Sequence, residues 1–211
     1  MSDVMSKIEQ VGIVPVVKLN DVNKAIPLCN ALLAGGISVA EVTFRTDCAG
    51  DVIKTISQNC PDMLVGAGTI INVDQAKKAL ECGAKFIVSP GFSREIVMFC
   101  KENNVPVIPG CVTPSEIMAA LECGIDIIKF FPAKEYGGLN TMKSLAGPFG
   151  QIRFMPTGGI SLENLKEFIS AKFIAACGGT YMVKDNLIEQ ENYEEITRLS
   201  KLSTDIVKES R

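Results

Sequence analysis

The chain contains no histidine. That removes the commonest general base and the commonest metal ligand together, so any chemistry must run on carboxylates, lysine, hydroxyls, thiols or backbone groups. No stretch approaches the roughly 18 uninterrupted apolar residues of a membrane span, and residues 1–10 lack the basic-then-apolar order of a secretory leader. The expected setting is cytoplasmic, with no membrane partner. None of the eight cysteines is paired as CxxC; they are scattered through apolar contexts, where a thiol packs as a small hydrophobe. This predicts reduced thiols in a reducing compartment and no metal site. Charge of one sign is also lacking. Lys and Arg number 21 and Asp and Glu 24, for a net charge of −3, and the two signs are interspersed, which argues against a nucleic-acid partner.

What is present is an ordered, apolar chain of 211 residues, 47% apolar and 21% charged, long enough for one sizeable core. Short β-branched runs alternate with helix-period segments. Strands are expected at residues 12–19, 37–44, 63–69, 85–89, 105–108, 125–132, 152–155 and 173–177. The helices between them open at Asn20 or Asp21, Asp47, Val73, Ser93, Thr113, Leu139 and Ser161, and a long last helix opens at Asn192. Thr113, Pro114 and Glu116 make a capping box with proline at the first helical position. Pro15, inside the first run, fits an edge or a bulge. The sequence ALECG occurs at Ala79–Gly83 and again at Ala120–Gly124, each copy ending a helix and feeding a strand. Eight strand–helix units predict parallel strands joined by crossover helices, and so a single (β/α)8 TIM barrel over residues 1–211 with an N-terminal helical extension. A doubly wound open sheet is the structural alternative.

The sixth run, IDIIKFFP at Ile125–Pro132, has the character of a strand buried on both faces, yet it carries Lys129. An unpaired ammonium there costs several kcal/mol. Either the lysine finds a carboxylate, or it is there to be neutral and reactive. Strand alternation puts Ile37, Val39, Glu41, Thr43 and Arg45 on one face of the second run. It puts Ile125, Ile127, Lys129 and Phe131 on one face of the sixth, and Val65, Ala67 and Thr69 on one face of the third. If the odd sets face the barrel axis, Lys129 and Glu41 look at each other across it. Glu41 and Arg45, roughly 13 Å apart along a strand, are too distant to pair and near enough to flank one ligand. Arg45, Thr69, Pro90, Pro109 and Pro132 fall at carboxyl-terminal strand ends, where barrels of this kind place their sites. Thr157-Gly158-Gly159 follows the seventh strand and Gly178-Gly179-Thr180 the eighth, the usual places for a phosphate. Plainer readings exist for each: a structural ion pair, a rim arginine bonded to Asp47 or Asp51, a turn threonine, and two tight turns.

Taken together these residues suit one chemistry. A neutral lysine adds to a ketone to form a Schiff base, whose iminium accepts electrons and permits C–C cleavage. Glu41 shuttles protons, Arg45 holds a carboxylate, and the glycine pairs hold a distal anion. The substrate implied is a 2-keto acid with a phosphate at its far end.

The motifs EVTFRT (Glu41–Thr46), GAGT (Gly66–Thr69), SPG (Ser89–Gly91), KFFPA (Lys129–Ala133), AGPF (Ala146–Phe149) and PTGGI (Pro156–Ile160) stand in this order. In combination they closely resemble the 2-dehydro-3-deoxy-6-phosphogluconate aldolases, the class I aldolases of the Entner–Doudoroff pathway, from about Val11 to Val183. The resemblance implies a (β/α)8 lyase without cofactor or metal, assembled as a homotrimer and releasing pyruvate and glyceraldehyde 3-phosphate. Members often also cleave 4-hydroxy-2-oxoglutarate. It implies Lys129 as the Schiff-base lysine and Glu41 as the proton shuttle. Arg45 and Thr69 would sit on the pyruvate half, with Pro90 and Phe131 lining the site. Thr157, Gly158, Gly159, Gly178, Gly179 and Thr180 would lie about the phosphate. The alternatives are the 6-phosphogalactonate aldolase of the same group, a phosphosugar isomerase or epimerase on the same barrel, and a non-enzymatic sugar-phosphate-binding barrel.

Overall fold

The structure is a computed structural model describing residues 3–211. Its strands are β1 (Ile13–Val17), β2 (Val39–Thr43), β3 (Leu64–Gly68), β4 (Ile87–Val88), β5 (Val107–Ile108), β6 (Ile127–Phe130), β7 (Arg153–Pro156) and β8 (Cys177–Gly179). Six run in the order β5-β4-β3-β2-β1-β8, and β6 pairs with β7, all parallel. Isolated bridges join the two sheets. Gly110 meets Lys129 on one side, and Phe154 meets Ile174 and Thr157 meets Gly178 on the other. The Lys129 N–H donates to the Pro109 carbonyl and the Cys111 N–H to the Lys129 carbonyl, each at 2.9 Å. The eight strands therefore close on themselves, which rules out the open doubly wound sheet.

Seven helices follow the first seven strands: α2 (Ala25–Ala34), α3 (Ala49–Asn59), α4 (Val73–Glu81), α5 (Arg94–Glu102), α6 (Pro114–Glu122), α7 (Gly138–Ala146) and α8 (Leu162–Ile169). Helix α1 (Asp3–Val11) precedes them; α9 (Asp185–Glu189), which the sequence pattern did not announce, and α10 (Tyr193–Ser210) close the chain. Among the described residues no helix is long and apolar enough to cross a membrane.

Alternation along the strands divides the apolar residues into two shells. Val14, Val39, Phe86, Val88, Ile108, Ile127 and Met155 fill the barrel interior, and Ile8 of α1 joins this cluster. Val17, Ala40, Val42, Val65, Ala67, Ile128 and Phe130 face the helix layer. Ile37, expected inside, packs with the outer shell because it precedes the regular part of β2.

Five helix starts follow capping residues; at α2 the N-cap is Lys24, with no side-chain capping bond, and Asp21 caps the short 3-10 turn before it. Asn72, Ser93, Thr113 and Asn192 accept from backbone amides in the first turns of α4, α5, α6 and α10, and Ser161 opens a capping box on α8. Asp47 does not cap α3; the N-cap is Cys48, with no side-chain capping bond, its thiol donating instead to the Leu19 carbonyl. The two ALECG copies adopt one conformation. Each helix ends at the cysteine, and the glycine turns the chain with positive φ, 99° at Gly83 and 71° at Gly124, a region that suits glycine.

Pro15 lies on neither an edge nor a bulge, for β1 stands between β8 and β2. Pairing with β8 runs over Ile13–Pro15 and pairing with β2 over Val16 and Val17. The proline sits where the strand passes from one partner to the other. The last strand also differs from expectation, spanning Cys177–Gly179 rather than 173–177. Gly178 and Gly179 pair with Val14 and Pro15 and are strand residues rather than a following turn.

The capping box of α6 yields a pH prediction. Burial pushes the Glu116 carboxyl up, but hydrogen bonds from the Val112 amide and from the Thr113 hydroxyl and amide outweigh it, and the group sits below the ordinary carboxylate range. A depressed folded value means this stabilisation is complete above the unfolded carboxylate range and disappears as pH falls through the folded value. Thr113→Ala should cost about 1 kcal/mol at neutral pH. Glu116→Gln should flatten the decline in urea midpoint below about pH 4. An acid limb unchanged in this variant would show that the carboxylate is not coupled to folding.

Candidate active site

A cavity of about 390 Å3 opens at the carboxyl ends of the strands. Lys129 stands at its base with 5% of its surface exposed, projecting inward from β6 because Ile128 and Phe130 on either side face the helices. Glu41 projects inward from β2 and is fully buried; its Oε1 accepts from Lys129 Nζ at 3.2 Å. The either-or drawn from the sequence does not hold. The lysine has its carboxylate and also faces an open cavity. Oε2 of Glu41 has no hydrogen-bond partner among the described residues, so this carboxylate keeps an unused acceptor beside the amine.

The remaining expected residues are placed as follows. Arg45 lines the cavity at its exposed rim, with no ion-pair partner among the described residues, so the salt bridge to Asp47 or Asp51 is absent. Pro90 also lines it, and the Phe131 ring, 40% exposed, has its centroid 5.4 Å from Lys129 Nζ. Thr69 reaches the cavity by a route that alternation did not foresee. Its strand-mates Val65 and Ala67 face the helices, but Thr69 lies in the left-handed region at φ 59°, and this reverses its direction. A β-branched residue there stores about 1–3 kcal/mol of strain, of the kind that collects at binding sites.

Thr157, Gly158, Gly159, Gly178 and Thr180 line the opposite wall. Gly158 and Gly159 take φ of 92° and 80°, which only glycine adopts readily. The Thr157 hydroxyl is buried with no hydrogen-bond partner among the described residues. Gly178 gives it room, since a Cβ there would lie 3.1 Å from Thr157 Cβ and closer to its hydroxyl. Gly179 is not brought to the cavity. A side chain there would point at Tyr181, Ile13 and Met182, so this glycine serves packing behind the wall. Val16 and Ile160 line the cavity and were missed; as apolar residues they give no chemical signal in a sequence. Among the described residues no group of three or more cysteine or acidic side chains converges on a metal position.

A closed parallel barrel with a buried lysine–carboxylate pair, a free arginine on one wall and a glycine-rich opposite wall is a (β/α)8 protein with an enzyme-like pocket at the strand ends. The chain belongs to the KDPG and KHG aldolase family, a family of lyases, whose model matches residues 4–199. It is 45% identical over 207 residues to a 2-dehydro-3-deoxy-phosphogluconate aldolase of Treponema pallidum, covering 98% of this chain and 99% of the relative. Two solved structures superpose closely. The 2-keto-3-deoxy-6-phosphogluconate aldolase of Zymomonas mobilis ZM4 with 3-phosphoglycerate has TM-score 0.92 and 35% identity over 97% of this chain and 96% of the other. The KDPG aldolase of Legionella pneumophila, with pyruvate captured at low pH as a covalent carbinolamine intermediate, has TM-score 0.91 and 36% identity over 95% and 97%.

Proposed function

We propose that the chain cleaves 2-dehydro-3-deoxy-6-phosphogluconate to pyruvate and glyceraldehyde 3-phosphate through a Schiff base on Lys129. The observation that carries the reading is the buried pair of Lys129 and Glu41 at the base of an open cavity. Nζ adds to the C2 ketone to give a carbinolamine, and loss of water gives the iminium. A base removes the C4 hydroxyl proton, the C3–C4 bond breaks, and its electron pair moves into the iminium as an enamine while the aldehyde leaves. Protonation at C3 and hydrolysis then return the amine and release pyruvate. Glu41 is the group within reach for these proton transfers, directly or through one water. The carbinolamine of the Legionella protein is the addition product that this sequence of steps begins with.

Arg45 and Thr69 are assigned to the substrate carboxylate, on the same side as Pro90 and Phe131. Thr157, Gly158, Gly159, Gly178 and Thr180 are assigned to the phosphate, with Gly179 supporting them from behind. The two halves of the cavity thus differ in character: a planar guanidinium for a planar carboxylate, and backbone and hydroxyl donors for a phosphate. The protein is further proposed to act in the cytoplasm as a homotrimer without a cofactor. Its free thiols, six of them buried, suit a reducing compartment.

A coupled assay of pyruvate release tests the assignment. The 6-phosphogluconate form of the keto-deoxy acid should be cleaved faster than the 6-phosphogalactonate form, with 4-hydroxy-2-oxoglutarate a slower third substrate. Preference for the galactonate form would move the assignment to the neighbouring aldolase, and no pyruvate from any of the three would overturn it.

A further inference from the structure

We propose that Gly68 is a positioning residue whose missing side chain forms the slot that holds the Glu41 carboxylate against Lys129. The proposal rests on the reading of Glu41 as the proton shuttle. Gly68 ends β3 and pairs in register with Thr43 of β2. Its backbone is ordinary strand; the glycines with positive φ lie elsewhere in the chain, so no turn requires a glycine here. What requires it is space. A Cβ at Gly68 would lie 2.5 Å from both Cγ and Cδ of Glu41 and nearer still to Oε1, the oxygen that accepts from Lys129 Nζ. Real Cβ atoms essentially never come within 3.0 Å of such neighbours. Glu41 is fully buried and bounded by Lys129, so its carboxylate could make room only by leaving its present place beside the amine.

One step down the same face, Gly66 is matched in register with Glu41 itself. A Cβ at Gly66 would lie 2.5 Å from Cε1 and Cε2 of Phe86. The inward face of β3 is therefore bare twice in succession. Its lower gap takes the tip of an aromatic ring, and its upper gap takes a carboxylate. Phe86 makes an apolar floor, Glu41 lies above it, and the strand backbone forms the wall behind both. The GAGT motif thus contributes its two glycines as shaped absence and its threonine as a cavity-lining side chain.

The test is a four-protein cycle: wild type, Gly68→Ala, Glu41→Asp and the double variant. Gly68→Ala should lower kcat by about 100-fold, the scale of a misplaced general base, with KM changed by less than about threefold. Lys129 should still be trapped by borohydride with pyruvate, since the amine itself is untouched. Glu41→Asp should impair the wild-type background. In the Gly68→Ala background the shorter acid should raise both kcat, by about tenfold, and the melting temperature, because it frees the space that the new methyl needs. Gly68→Ala with kcat within about threefold of wild type would overturn the proposal. So would a double variant that melts no higher than Gly68→Ala, and this comparison decides the matter even if the single variant folds poorly. If the wild-type protein is not trapped with pyruvate, the aldolase reading fails. The melting cycle then still decides whether Gly68 is the carboxylate slot.

Discussion

Lys129→Met should abolish cleavage, lowering turnover by about 10^5-fold or more, the scale on which removal of a covalent nucleophile acts. Borohydride with pyruvate should add the reduced pyruvyl mass to Lys129 in the wild-type protein and nothing to the variant. A second effect follows from burial. The uncharged thioether would leave the Glu41 carboxylate unpaired in the barrel interior, and breaking a buried pair from one side costs about 3–5 kcal/mol. The double variant Lys129→Met, Glu41→Leu should recover most of that loss while remaining inactive, because removing both charges also removes their desolvation cost. This combination separates chemistry from folding. If Lys129→Met kept measurable turnover, or if the double variant melted below the single one, the account of a paired yet reactive lysine would be wrong.

Glu41→Gln is expected to lower kcat by about 10^2–10^4-fold, as loss of a general acid–base group does, while leaving Lys129 open to trapping by pyruvate. The amide keeps the shape and a hydrogen-bond acceptor for Nζ, but it cannot take up a proton. Single-turnover measurements should therefore place the defect after amine addition, in C–C cleavage or in enamine protonation. Full turnover in this variant would transfer the shuttle to another group, and among the described residues no other acidic side chain bonds Lys129.

Much of this site was legible before any coordinates. A lysine in a doubly buried strand is conspicuous because burial of charge is costly, and period-two alternation sufficed to aim Glu41 at it. The positions of Arg45 and Pro90 at strand ends followed from the same counting, and Phe131 from the family resemblance. Where the reading failed, the physics was not local. Thr69 reverses its direction through a left-handed backbone that no propensity scale assigns to threonine. Gly178 and Gly179 read as an anion site following the last strand, but both lie within it, and while Gly178 lines the cavity and gives room to the Thr157 hydroxyl, Gly179 makes room only for Tyr181, Ile13 and Met182. Gly68 was passed over for a related reason. A residue whose function is to leave space shows its purpose only when the neighbour that fills the space is known. Asp47 looked like a cap, and its neighbour Cys48 took the position.

The pairing of β6 with β7 has a bearing on substrate length. The two strands share an unbroken register from Ile127 opposite Arg153 to Phe130 opposite Pro156, and isolated bridges join them to the strands on either side. Lys129 belongs to one and Thr157 directly follows the other, and the Ala133 amide donates to the Thr157 carbonyl at 2.8 Å. The proposed reacting nitrogen and the start of the proposed anion site are thereby carried on one pair of adjacent strands. On the proposed assignment, the number of carbons between keto group and phosphate would be set by the spacing of these two adjacent strands.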